Sequence, residues 1–150
     1  MRKYFVHTVL GVLLLAVVGI QLLASPIIAP SIDATVEIKP ETLSLKARGV
    51  ITVFITEFSD PSYNVSDIDC NTMKLHVKDG PGYVAPMRCI IEDDKFIAAF
   101  DGLSVAGHIL VDLGHMQPLP KDKYRVELVV EGMVNGELFE GSYWIRVMLP

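Results

Sequence analysis

The sequence has 150 residues, is 51% hydrophobic and carries a net charge of −5. Arg2 and Lys3 are the only charged residues before Asp33, so removing their two positive charges leaves −7 on the remainder. This acidic balance argues against a nucleic-acid partner, which would require clustered Lys and Arg. The remainder is long enough for one domain with a hydrophobic core, and not for two.

Residues 4–32 form an uncharged stretch rich in Leu and Val. About 20 such residues suffice for a helix to cross the hydrocarbon core of a membrane, and the basic pair before them predicts a cytoplasmic N-terminus. No cleavage point between residues 24 and 29 has a small residue at both required positions, which favours a retained anchor over a cleaved signal peptide. We therefore predict an anchor or signal segment with a short linker, residues 1–32, and one exported domain, residues 33–150.

In the exported domain, apolar and polar residues alternate with a period of two in several places. This alternation predicts a half-buried edge strand at residues 34–39, before Pro40, and another strand at residues 73–78. The β-branched run of residues 50–55 is typical of a central strand. Each of these runs is short enough to be a strand of a small sheet.

Two pairs of runs are predicted to form β-hairpins. Residues 83–91 and 95–100 lie on either side of a short acidic turn. Residues 124–130 and 138–147 flank an Asn-Gly pair, which favours a tight turn with positive φ. Several short strands joined by turns predict an all-β fold, namely an antiparallel β-sandwich after one N-terminal transmembrane or signal helix.

Residues 102–115 depart from this alternation. Four apolar residues could line one helical face, although β-branched neighbours also permit a strand: Leu103, Ala106, Leu110 and Leu113. We expect a short helix or turn that crosses between the sheets.

Cys70 and Cys89 are the only two cysteines. Outside the cytoplasm a pair of thiols tends to persist as a disulfide, so we predict a structural bridge between them. Two free, buried thiols are the alternative. A metal or redox pair is disfavoured because a close Cys-x-x-Cys spacing and nearby His ligands are missing.

Residues 34–46 read ATVEIKPETLSLK, and residues 63–69 read YNVSDID. Together with the NGELFEGS sequence of residues 135–142, these motifs resemble, in order, a β-sandwich module that recurs in archaeal and bacterial surface and secreted proteins. The resemblance implies an immunoglobulin-like, non-catalytic fold, usually an accessory unit of larger cell-surface proteins. Relatives often carry an Asp-rich loop in the middle region. This chain lacks that loop, so calcium binding does not carry over.

Four acidic residues are candidate calcium ligands, because hard cations prefer several oxygens: Asp67, Asp69, Asp93 and Asp94. The favoured interpretation is that they satisfy backbone N–H groups in turns, and no cofactor is predicted. His108 and His115 would share a helical face, but two His residues without a third ligand make a poor zinc site.

Two further features are surface candidates. Asn64-Val65-Ser66 is a glycosylation sequon in a predicted turn. Tyr143 and Trp144 are neighbours on the last strand, so one ring should face the core and the other should face outward, where it could anchor an interface.

The sequence contains no paired nucleophile and base, no nucleophile elbow and no phosphate-binding loop, so we predict that the protein is not an enzyme. The favoured function is protein–protein interaction or assembly at the cell surface. The module would be single-pass and membrane-tethered, with its domain extracellular and other surface or membrane proteins as partners. The alternative is a secreted carbohydrate- or calcium-binding module released by cleavage. The sequence identifies no small-molecule ligand.

Overall fold

The computed structural model describes residues 31–46, 48–115 and 123–149. Residues 1–30 of the predicted anchor lie outside these ranges. No helix within the ranges is long and apolar enough to span a membrane. The described residues form eight strands and one α-helix: β1 (Ile32–Lys39), β2 (Thr42–Ser44), β3 (Val50–Phe58), β4 (Ile68–Val77), β5 (Arg88–Glu92), β6 (Lys95–Asp101), α1 (Gly102–Gly114), β7 (Lys123–Val134) and β8 (Glu137–Met148).

The strands build a mostly antiparallel β-sandwich, which confirms the all-β part of the predicted fold class. One sheet has the order β4-β7-β8, and β8 also pairs in parallel with the start of β1 and with β2. The other sheet has the order β1-β3-β6-β5. Antiparallel pairing dominates both sheets, and the hydrophobic core lies between them.

Strand β1 joins the two sheets. Ile32 pairs with Phe139 of β8, whereas the later residues of β1 pair with β3. The close approach to β8 requires Gly141, because a Cβ atom there would lie 2.6 Å from the carbonyl oxygen of Ala34. Residues 34–39, predicted as an edge strand, pair with β3. The additional pairing of the start of β1 with β8 is not predicted by the alternation of apolar and polar residues.

The β5–β6 hairpin is shorter than the predicted hairpin of residues 83–91 and 95–100. Its first strand begins at Arg88, and Val84 makes only an isolated antiparallel bridge with Leu75 of β4. Pro86 explains the difference, because proline has no N–H for a strand ladder and restrains the residue before it. The second predicted hairpin is confirmed as β7 and β8, with positive φ at Asn135 and Gly136.

Helix α1 confirms the helical interpretation of residues 102–115. Its buried face contains Val105, Ile109 and Leu113, spaced four residues apart. The predicted face was partly wrong, because Leu103 and Leu110 are exposed. Val105, Ile109 and Leu113 therefore mark the side of the helix that packs on the core.

A disulfide joins Cys70 of β4 to Cys89 of β5. These two strands are the ends of the strand order, so the bridge closes the sandwich on the side opposite to β1. The predicted bridge between the two cysteines is confirmed, and the alternative of two free thiols is wrong.

Asp101 caps the N-terminus of α1, and this cap makes the stability of the helix depend on pH. Its carboxylate accepts hydrogen bonds from the Ser104 hydroxyl at 2.6 Å and the Ser104 N–H at 3.0 Å. These bonds hold the pKa of Asp101 below its ordinary 3.8. A lowered folded-state pKa contributes stability above the unfolded-state pKa, and the contribution is lost as the pH falls through the folded-state pKa.

We expect Asp101→Ala to lower the Tm at neutral pH, because it removes the cap. The difference in Tm from the wild type should shrink as the pH falls below 3.8, the ordinary pKa of the group. Thermal denaturation followed by circular dichroism at several pH values measures this. Asp101→Asn is the matched control: it keeps an acceptor and should retain most of the Tm without the pH dependence. A difference that stays constant down to the lowest pH would contradict the role of the ionised cap.

Candidate interaction surface

The candidate calcium ligands lie in two separate places: Asp67 and Asp69 where a short 3₁₀ turn meets β4, and Asp93 and Asp94 between β5 and β6. Asp69 accepts a hydrogen bond from the Asn71 N–H at 3.0 Å, and Asp67 lies 3.4 Å from the Asn135 amide. Asp93 and Asp94 form the tip of the β5–β6 hairpin, both with positive φ. Among the described residues, no group of three or more His, Cys, Asp or Glu is arranged to hold a metal ion.

The two candidate histidines also lie apart from any such group within the described ranges. The Nδ1 atom of His108 lies 3.2 Å from the carbonyl oxygen of Pro81, where a protonated Nδ1 would donate a hydrogen bond. His115 is the C-cap residue of α1 and is exposed. The contact of His108 therefore ties α1 to the loop that follows β4.

Asn64 lies exposed at the start of a short 3₁₀ turn, Val65–Asp67. Its side-chain oxygen accepts hydrogen bonds from the Ser66 N–H at 2.9 Å and the Ser66 hydroxyl at 2.8 Å. A cavity of about 320 Å³ lies beside it, lined in part by Tyr63 and Glu57. The sequon is thus on the surface, and its glycosylation stays a prediction.

Tyr143 and Trp144 face opposite sides of β8. The ring of Tyr143 is half-buried and packs on the core, whereas Trp144 is 52% exposed on the outer face of the sheet. The guanidinium of Arg125, on β7, lies 5.8 Å from the centroid of the Trp144 ring. This is a cation–π arrangement, which holds the indole in one orientation at the surface.

We define the Trp144 face as the outward side chains around this ring: Glu41, Thr42, Arg125, Glu127, Trp144 and Arg146. The register of β7 and β8 places Arg125 opposite Arg146 and Glu127 opposite Trp144. Strand β2 adds Thr42, which lies opposite Arg146. Five of the six residues of the face therefore lie on three paired strands, and Glu41 directly precedes β2.

Two cavities flank the Trp144 ring and share Trp144 and Arg125 in their walls. One has a volume of about 380 Å³ and reaches toward Lys78 and Tyr124. The other has a volume of about 230 Å³ and reaches toward Glu41. The ring thus stands as a ridge between two concave regions.

The carboxylates of the Trp144 face are engaged within the molecule. Glu127 accepts hydrogen bonds from Lys78 at 2.8 Å and from the Ser142 hydroxyl at 2.7 Å, and these bonds hold the pKa of Glu127 below its usual value. The bond from Lys39 likewise lowers the pKa of Glu41. Both carboxylates are therefore ionised at neutral pH and already have cationic partners.

The guanidiniums of Arg125 and Arg146 differ from these carboxylates, because neither is engaged in a close ion pair within the described part of the chain. Arg125 and Arg146 lie directly across from each other, an arrangement of like charges that is unfavourable in a sheet. Neither forms an ion pair within 4.0 Å of another described residue, although Arg146 helps to lower the pKa of Glu41 through its charge. The face can therefore offer an aromatic surface and two guanidiniums to an anionic group.

Sequence reasoning identified the pair Tyr143 and Trp144, without deciding which ring faces outward, and missed Arg125, Arg146 and Thr42. The two arginines could have been found from the Asn135-Gly136 turn, because a two-residue turn determines which residues of the hairpin face each other. Thr42 could not have been found this way, since the pairing of β2 with β8 joins distant parts of the sequence.

No family model and no curated protein matches the chain. Among solved structures, it is similar to the D1–D4 ectodomain fragment of ICAM-5, with 12% identity and a TM-score of 0.38 over 81% of this chain and 26% of that one. It is also similar to AggA, the major subunit of aggregative adherence fimbriae type I from Escherichia coli, with 10% identity and a TM-score of 0.28 over 82% and 98% of the two chains.

The chain thus spans about a quarter of the length of the ICAM-5 fragment. At these identities and TM-scores the likeness carries no conclusion about this chain. The resemblance of the sequence motifs to the archaeal and bacterial surface module stays a prediction.

Proposed function

We propose that this protein is a non-catalytic module outside the cell, tethered by its N-terminal segment, that binds a partner protein through the Trp144 face. The strongest support is the exposed indole of Trp144, held by Arg125 between two concave regions. Trp and Arg are the residue types most enriched among those that dominate binding energy at protein interfaces.

Two observations support the location. The uncharged stretch of residues 4–32, after Arg2 and Lys3, has the length and flanking charge of an anchor with an external domain. The Cys70–Cys89 disulfide is typical of proteins in oxidising compartments outside the cytoplasm. An extracellular domain retained at the membrane accounts for both.

The position of the Trp144 face along the sandwich suits a tethered module. Ile32, the first residue of β1, pairs with Phe139 near the start of β8. Trp144 is five residues farther along the same strand, about 17 Å from Phe139 at roughly 3.4 Å per residue. A tether that enters at Ile32 therefore leaves the face on the side of the domain, away from the point of attachment.

The charges of the face indicate the chemistry of the partner. Arg125 and Arg146 have no ion-pair partner among the described residues, whereas Glu127 is occupied by Lys78. A partner that supplies Asp or Glu side chains beside an apolar or aromatic contact would relieve the repulsion between the two guanidiniums. We therefore propose an acidic patch on another surface or membrane protein.

We expect Trp144→Ala to weaken binding to this partner about tenfold or more, because truncating a central interface aromatic commonly costs over 1.4 kcal/mol. The partner is first recovered by cross-linking the full-length chain in its own membranes, and the affinity of the purified pair is then measured. Leu110→Ala is the matched control, since Leu110 is a similarly exposed apolar residue on α1 and should leave the affinity unchanged.

Equal affinities for the wild type and Trp144→Ala would refute the role of this face. A carbohydrate array provides the contrast with the alternative function, because an exposed indole is also a surface on which a sugar ring can stack. Binding of the full-length chain to a glycan that requires Trp144, without any protein partner, would favour the carbohydrate-binding module.

A further inference from the structure

The outer edge of β5 is unpaired within the described part of the chain. Among the described strands, β5 ends the strand order and pairs only with β6. The other end of the order, β4, is contacted by Val84, whose N–H and carbonyl bond to Leu75 at 2.8 and 2.9 Å. The two ends therefore differ: among residues 31–46, 48–115 and 123–149, an extra segment lies against β4 but none lies against β5.

The side chains of β5 are unusually apolar for an exposed edge. Ile90 is 48% exposed and Ile91 is 53% exposed, on opposite faces of the strand. Protein edges are commonly protected by Lys, Pro or a bulge. Such features occur only at the start of β5, where Pro86 precedes the strand and the Met87 N–H bonds to Ala99, the partner of Arg88, whereas residues 89–91 have none. Such an edge is suited to pairing with another strand.

The hairpin determines which backbone groups are available. Asp93 and Asp94 form a two-residue turn, so Glu92 and its partner on β6 are a hydrogen-bonded pair. Because hydrogen-bonded pairs alternate along an antiparallel ladder, the N–H and carbonyl groups of Cys89 and Ile91 point away from β6. An incoming strand would bond to these two residues.

We infer that β5 pairs antiparallel with the β5 of a second copy of this chain, about a two-fold axis at Ile90. In this register Cys89 of each copy exchanges hydrogen bonds with Ile91 of the other, as the free backbone groups require. Ile90 meets Ile90 on the axis. Arg88 lies opposite Glu92 of the second copy, so each dimer contains two ion pairs of opposite charge.

The two faces of the strand are consistent with this arrangement. Cys89 points inward to its disulfide, so Arg88, Ile90 and Glu92 share the outer face of the strand. Along this face a positive charge, an apolar side chain and a negative charge follow one another. Arg88 and Glu92 are exposed, and neither makes an ion pair with another described residue. The sequence of the strand is thus complementary to itself when it is read in the antiparallel direction.

Neighbouring registers fit less well. A shift by two residues in one direction places Ile90 opposite Glu92, and a shift in the other direction places Arg88 opposite Ile90. A shift by one residue would place free backbone groups against groups already bonded to β6. Charge complementarity and backbone bonding therefore favour the same two-fold register.

The dimer should be weak. A strand of five residues buries less area than the roughly 1,600 Å² of a standard interface. The contact is also separate from the Trp144 face, because β5 and β8 belong to different sheets. An experiment that refutes binding through one of these surfaces therefore does not refute binding through the other.

Charge exchange tests the register directly. We expect sedimentation of the full-length chain in detergent to show a concentration-dependent dimer. Arg88→Glu and Glu92→Arg should each raise the dissociation constant about tenfold or more, because each places like charges opposite one another twice. The double variant Arg88→Glu/Glu92→Arg should restore the wild-type dissociation constant, and a mixture of the two single variants should form a heterodimer.

The mixture also controls for misfolding, since two damaged proteins would not regain dimerisation when they are combined. A wild-type chain that stays monomeric at every concentration would overturn the inference. Single variants that dimerise as well as the wild type would overturn it too, because the dimer would then form through another surface. Failure of both the double variant and the mixture to restore dimers would overturn the register.

Discussion

Phe139→Ala is expected to lower the free energy of unfolding by about 3–5 kcal/mol. The side chain is fully buried, and its ring packs edge-to-face on Phe58 with 5.4 Å between centroids. Phe139 also lies at the point where β8 pairs with Ile32 of β1, so it contributes to the core at the joint between the two sheets. Truncation would leave a large cavity there, and urea denaturation of the full-length chain in detergent measures the loss.

The neighbouring residue provides the control. Leu138 precedes Phe139 on β8 but faces outward and is partly exposed. Leu138→Ala should change the free energy of unfolding by no more than about 0.5 kcal/mol, as is usual for surface substitutions. Similar losses for the two variants would mean that the start of β8 does not contribute to the core in the way the structure shows.

Replacing both cysteines, in Cys70→Ser/Cys89→Ser, is expected to cost about 3 kcal/mol. The bridge spans a sequence separation of 19 residues and restricts the unfolded chain. In the folded protein it is also the covalent link between β4 and β5, the two ends of the strand order. Without it, the sandwich is closed on this side by packing alone.

Reduction of the wild-type protein provides an independent comparison. Its free energy of unfolding under reducing conditions should fall to that of the double serine variant, and the variant should be insensitive to the reductant. A double variant as stable as the oxidised wild type would show that the packing of β4, β5 and α1 suffices without the bridge.

Much of the fold follows from local sequence patterns. The alternation in residues 124–130 and 138–147, with Asn135-Gly136 between them, predicted the hairpin of β7 and β8, because the turn and both strands are neighbours in sequence. The joint made by β1 was not predicted, since it depends on Gly141 admitting a strand from the other end of the domain. Local patterns carry no information on such distant pairings.

The candidate interaction surface likewise has a part that local sequence patterns predict and a part that they do not. The outward direction of Trp144 follows from alternation along one strand, and its pairing with Arg125 follows from the hairpin register. The contribution of Thr42 depends on the parallel pairing of β2 with β8. The free edge of β5 could not be predicted, because the strand order of a sandwich is set by packing across the whole domain.

The intact mass of the full-length protein, extracted from its membranes with detergent and compared with any soluble form, tests most directly whether this is a tethered extracellular module. The account predicts a membrane-bound species that retains residues 4–32 and gains two hydrogens on reduction of the Cys70–Cys89 bridge. A soluble species that begins between residues 25 and 31 would contradict the tether and favour the secreted module instead.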